Sequence, residues 1–75
     1  MKLKDLYDVM SDRVYDVNIF SKDDVEYIET VMIDEWAHSW DAKKKLQELF
    51  EKNAEVEFVR ANKTTNRLEI TVLID

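Results

Sequence analysis

Glu35 and His38 stand three residues apart, the spacing at which one helix face can offer a carboxylate and an imidazole to the same metal ion. Such a centre needs a second pair of that kind and further Glu ligands from other helices, yet His38 is the only histidine in the chain. The pair therefore reads as a solvated helix start, and no metal is expected. Asp23, Asp24 and Glu26 also cluster, but a calcium loop wants ligands at alternating positions around an obligatory Gly, so a hairpin turn is the better account. Asp34 beside Glu35 would do acid–base work only if one carboxyl were buried and its pKa raised; acids are rarely buried, so solvated surface is expected there. A Ser-His-acid set would have to be built around His38, whose neighbours Ser39 and Asp41 are too close in sequence to converge on one point.

The chain contains no Gly, Pro or Cys. Phosphate-cradling loops, dinucleotide fingerprints and nucleophile elbows all need Gly where the backbone turns sharply or nears a ligand, and none can be written with these residues. Without Cys there are no disulfides, thiolate metal sites or Cys nucleophiles, which suits a reducing cytoplasm. Backbone positions needing positive φ must then fall to Asn or Asp. An enzyme is not expected, nor a cofactor.

The 75 residues suffice for one domain, 1–75, near the lower limit for a core without staples. Its acid is piled into one half. Residues 1–41 carry eleven Asp and Glu against four Lys and Arg, whereas residues 42–75 carry six against seven, within a net charge of −6. A localised negative field favours a protein partner with a basic surface over nucleic acid or an anionic membrane. The one basic run, Lys43, Lys44 and Lys45, splays over roughly 200° of a helix and makes no stripe for a phosphate backbone. No stretch approaches the roughly 20 apolar residues that cross a bilayer, and Lys2, Lys4, Asp5 and Asp8 interrupt the first ten residues, unlike a secretory signal. A cytoplasmic location is expected.

The elements that must position these groups follow from periodicity. Leu3, Leu6, Tyr7 and Met10 recur at i, i+3, i+4 and i+7, a short amphipathic helix ended by Ser11 and Asp12. Residues 14–20 alternate, with Tyr15, Val17 and Ile19 on one face and Asp16 and Asn18 on the other. After turn formers at 21–24, residues 25–33 return as a second strand with two open registers: Tyr27, Val31 and Ile33 inward with Glu29 as an intruder, or Ile28, Thr30 and Met32 inward. Residues 34–53 read as the main helix, starting at Asp34 or Ser39, with Ala42, Leu46, Leu49 and Phe50 on one side and Lys44, Lys45, Glu48, Glu51 and Lys52 on the other. Lys43 to Lys45 are expected to pair with Asp41 and Glu48 along the helix. Residues 55–61 and 67–74 alternate again around the loop 62–66, which has Asn at both ends to close a hairpin without Gly.

The expected fold is α+β: a four-stranded antiparallel sheet of two hairpins, one main helix packed on one face, and a short N-terminal helix. The opposite face would show Asp16, Glu57, Glu69 and Thr71, with Glu26 or Glu29 according to register, and so would be acidic. Trp36 and Trp40, at i, i+4, either cover the sheet edge as core or project as interface anchors.

The opening Met1-Lys2-Leu3-Lys4-Asp5-Leu6, followed by Val14-Tyr15-Asp16-Val17-Asn18-Ile19 and an acidic turn into residues 25–33, resembles the small acidic accessory proteins of phages and prophages over about the first 33 residues. Size and charge also look like those of small phage inhibitors of host defence, including anti-CRISPR proteins that mimic DNA. The chain departs from that group in lacking Gly at its turns and in placing a long helix before the last hairpin, and the likeness includes no catalytic motif. It implies action in the cytoplasm of the host cell.

The expected function is thus binding without turnover. A phage-type inhibitor would engage the basic, nucleic-acid-binding surface of a host defence protein through Asp16, Asp23, Asp24, Glu26, Glu29, Asp34 and Glu35, with Trp36 and Trp40 as anchors. The alternative is a structural module that completes its core by pairing sheet faces or edges in a homodimer.

Overall fold

A computed structural model describes residues 1–10, 14–34 and 40–75, Trp40 by its backbone alone. The chain runs α1 (Leu3–Val9), β1 (Tyr15–Ser21), β2 (Tyr27–Ile33), α2 (Trp40–Glu51), β3 (Glu55–Asn62) and β4 (Arg67–Ile74). Both expected hairpins form, β1 antiparallel to β2 and β3 antiparallel to β4. They meet through a parallel β1–β4 pair, in the order β2-β1-β4-β3. The sheet is therefore mixed, which corrects the purely antiparallel arrangement. Alternation fixes the face that each strand buries, and a short turn fixes antiparallel pairing within a hairpin. Neither says which strands of two hairpins meet. The long connection through α2 places β2 and β3 on opposite edges and leaves β1 and β4, whose Val17, Ile70 and Val72 are fully buried, in the centre.

The core gathers Tyr15, Val17 and Ile19 of β1, Val31 and Ile33 of β2, Ile70 and Val72 of β4, Leu3 of α1, and Ala42, Leu46 and Leu49 of α2. The helical stripe is the one the 3.6-residue period requires. α2 is described from Trp40 onward, and the expected start at Asp34 or Ser39 turns on residues 35–39, which lie outside the described residues. Two backbone bonds dock the start of the chain on the α2–β3 junction, Leu3 N to Ala54 O (2.8 Å) and Val56 N to Met1 O (2.8 Å). Tyr7 meets Phe50 of α2 with ring centroids 5.3 Å apart.

The two registers left open for the second strand are decided in parts. Val31 and Ile33 point inward, opposite Val17 and Tyr15. Glu29 comes with them, and Lys45 reaches from α2 to meet it at 2.7 Å. Lys45 thus bridges helix to sheet; pairing along the helix alone does not describe it. A bulge leaves Ile28 as an extra residue between Glu29, opposite Ile19, and Tyr27, opposite Phe20. That shift carries Tyr27 to the outer face, where its ring stands edge-on to Phe20.

Positive φ is met at Asn53, which ends α2, and at Asn66 in the second hairpin, as a chain without Gly would require. Asn62 has a different role: its Oδ1 accepts from the backbone N–H groups of Thr64 and Thr65 at 3.0 and 3.2 Å. Val25 breaks the rule. A β-branched residue sits at φ 54° in the first turn, where Cβ crowds the backbone.

Candidate functional site

At the end of the sheet where β4 begins, carboxylates are drawn together by Arg67. Its Nε donates to Asp16 Oδ1 at 2.9 Å, its Nη1 to Asp34 Oδ1 at 2.7 Å, and its Nη2 to the carbonyls of Tyr15 and Ile33, each at 3.2 Å. The five donors of a guanidinium fork suit this meeting of β1, β2 and β4. Arg67 and Asp16 side chains are each only 14% exposed. Hydrogen bonds from Arg67 to Asp34 and then Asp16 push the arginine pKa further up, against a smaller opposing effect of burial. Two residues expected at a partner surface, Asp16 and Asp34, are thus engaged within the fold. A third, Glu29, is held by Lys45.

The outer face of the sheet carries the expected residues with a different character. Asp16, Asn18 and Phe20 of β1 stand beside Glu69, Thr71 and Leu73 of β4. Glu69 is held by Arg60 Nε at 2.7 Å and by Asn62, which together lower its pKa. Thr30 donates to Asn18 Oδ1 at 2.8 Å and shares a 2.8 Å bond with the Tyr27 hydroxyl. Beside these groups lies an open depression of about 430 Å³, lined by Phe20, Val25, Phe58 and Leu73 together with Glu57 and Arg60. The face is mixed: Asp16 and Glu69 are paired with arginines while Glu57 stands exposed beside a largely apolar depression, so the expected acidic face is acidic only in part. Alternation placed Asp16 and Glu69 correctly, but not their arginine partners from other strands.

The opposite end of the sheet holds the exposed acid. Asp23, Asp24 and Glu26 occupy the β1–β2 turn, and all are exposed. Among the described residues no Lys or Arg lies within ion-pair distance of them. The turn is fixed by Ser21 N to Glu26 O at 2.8 Å and by Glu26 N to Asp24 Oδ1 at 3.3 Å. Hydrogen bonds from the Ser21 side chain and then the Glu26 backbone hold the Asp24 pKa below the ordinary Asp value, which keeps this carboxylate charged.

The parallel β1–β4 pair brings further acid to that end. Ser21 pairs with Ile74, and Lys22 N donates to Ile74 O at 2.7 Å, so Asp75 lies beside the turn. Glu57, the extra residue of the β3 bulge, lines the same depression as Val25. Glu55 is nearby in register but is engaged by Lys2 at 2.9 Å, and its pKa is lowered by that bond. Sequence reading missed Glu57 and Asp75 as companions of the turn. Only knowledge that β1 and β4 run parallel would have found them.

Glu35, Trp36 and His38, and the side chain of Trp40, lie outside the described residues. Among the described residues no group of three or more His, Cys, Asp or Glu side chains is placed to hold a metal ion, and no helix is long and apolar enough to cross a membrane. No protein-family model matches the chain, and no curated protein or solved structure is significantly similar to it.

Proposed function

We propose that the protein is a small non-catalytic binding protein, acting in the cytoplasm, whose acidic sheet end engages a basic surface of another protein. The observation that carries this reading is the contrast in pairing: Asp16, Asp34, Glu29 and Glu69 have cations within the chain, whereas Asp23, Asp24 and Glu26 stand exposed together. Carboxylates grouped on one rigid turn add their potentials and steer a basic partner into contact. A groove that handles nucleic acid is basic for the same reason, so the phage-type inhibitor of a host defence protein remains the biological setting we favour. The acid surface in this reading is narrower than the whole sheet face: it is the turn with Asp75 and with Glu57 at the adjoining end of that face. DNA mimicry then takes the form of a compact acidic knob.

The test is affinity capture from host lysate on immobilised protein at low salt, with washes stepped upward. A partner held by the turn elutes as screening grows, and Asp23→Lys with Asp24→Lys abolishes its capture while the fold is retained. Capture indifferent both to salt and to the double reversal rules this reading out.

A further inference from the structure

The depression on the outer face is walled by side chains that the chain leaves uncovered. Val25 is 65% exposed and Phe58 50%, with Phe20 and Leu73, paired neighbours on β1 and β4, between them. Its volume of about 430 Å³ lies in the range of ligand clefts and admits one large side chain. Val25 lines it at φ 54°, so the turn keeps an apolar group there despite backbone strain. The charge around it is unbalanced. Arg60, which also lines it, is held by Glu69 at 2.7 Å, whereas Glu57 has no cation within ion-pair distance among the described residues. Asp24 and Glu26, on either side of Val25, are exposed and equally without a cation. We propose that this depression takes one large apolar side chain of a partner protein, presented on an extended segment with a Lys or Arg two residues to either side. The inference rests on the reading of the acidic end as a docking surface and supplies the chemistry of what docks there.

Spacing and charge select this occupant. From the β1–β2 turn across β1 and β4 to β3 the sheet is two to three strand spacings wide, roughly 10–14 Å. An extended segment rises about 3.4 Å per residue, so residues four apart span that width and face the same side. With the apolar side chain over Phe20 and Leu73, the flanking cations fall toward Glu57 on one side and toward Asp24 and Glu26 on the other. Asp24 and Glu26 stand outside the depression, so a compact ligand confined to it leaves them unused. Nucleic acid or an anionic membrane meets repulsion from the same carboxylates. Exposed ion pairs are weak by themselves, so the apolar group is what gives the contact its selectivity.

NMR titration of the isotope-labelled protein tests this with three acetylated, amidated pentapeptides: Lys-Ser-Phe-Ser-Lys, Lys-Ser-Ser-Ser-Lys and Ser-Ser-Phe-Ser-Ser. At low salt the first should bind with a dissociation constant on the order of 1 mM, as suits one anchor and exposed ion pairs. Methyl resonances of Val25 and Leu73 should shift, while those of Ile70 and Val72, buried on the inward face, stay fixed. Each of the other two peptides should bind roughly tenfold more weakly or less. Phe58→Ser should weaken the first peptide by roughly tenfold and Glu57→Gln by roughly threefold. Equal binding of the first two peptides overturns the inference and leaves the acidic end intact as a docking surface. Equal binding of the first and third, no binding of the first, shifts confined to other residues, or indifference to both substitutions also overturns it. Lysate capture that ignores salt and the reversal of Asp23 and Asp24 is the separate result that removes the reading beneath it.

Discussion

The two ends of this sheet are made of the same kind of residue and use it in opposite ways. At one end, Asp16 and Asp34 close around Arg67, which also caps the carbonyls of Tyr15 and Ile33 and so ties three strands together. At the other, Asp23, Asp24 and Glu26 stand exposed on a turn whose bonds fix its shape without neutralising its charge. A carboxylate next to a guanidinium that shares its burial is part of the framework, because removing either partner strands the other charge. A carboxylate in water with no cation beside it contributes little to stability and remains able to interact. The difference lies in the cation delivered by the fold, and the cation at the first end comes from the start of β4.

Breaking the framework end should give the largest effect. Arg67→Ala removes the guanidinium shared by two carboxylates and two carbonyls, and should lower the unfolding free energy in urea by about 3 kcal/mol. The phenol of Tyr15, whose carbonyl Arg67 holds, comes next. Burial, with a lesser push from Tyr7, raises its pKa from 10.0 to about 12. Its folded value exceeds its unfolded one, so the stability linked to the neutral phenol is whole below pH 10 and is lost as pH climbs from 10 to 12, reaching roughly 2–3 kcal/mol. Urea midpoints at pH 8 and at pH 11.5 should therefore diverge more for wild type than for Tyr15→Phe; equal divergence would remove Tyr15 from the account.

At the acidic end the expected effects are smaller and of the other sign. Val25 at φ 54° is a strained occupant of a position suited to Asn, so Val25→Asn should raise stability by about 1 kcal/mol, read from the thermal midpoint. If that stabilised variant also loses partner capture, the side chain of Val25 belongs to the contact surface. The least change in stability is expected for Asp23→Asn with Asp24→Asn, whose urea midpoint should match wild type within error while capture falls. Asp24 supplies a pH check: because its folded pKa lies below the ordinary Asp value, its small contribution is present above that value and lost as pH falls through the lowered one. A carboxyl ¹³C titration of Asp24 at or above the ordinary value would contradict the turn geometry.

Much of the fold was legible along the chain. The stripe Ala42, Leu46, Leu49 and the alternation Tyr15, Val17, Ile19 are local periodicities, and each is buried as its period requires. The turn at Asp23, Asp24 and Glu26 was legible too, since exposure and turn chemistry are both local. The bulge that leaves Ile28 unpaired was not, because it arises from matching β2 to β1 around a strained turn. Nor was the pairing of acids on the outer face. Asp16 and Glu69 do lie there, but their neutralisation depends on Arg67 and Arg60 arriving from other positions.

By its own pattern the sequence determined that two hairpins and two amphipathic helices would form, which side of most strands is apolar, and that acid exceeds base. Those properties reside in neighbours a few residues apart, where period and propensity act. Tertiary structure alone decided that the hairpins join through parallel β1 and β4, bringing Glu57 and Asp75 to the acidic turn while Arg67 takes Asp16 and Asp34. The reason is that ion pairing and burial depend on distance in space, and Arg67 lies 51 residues from Asp16 along the chain.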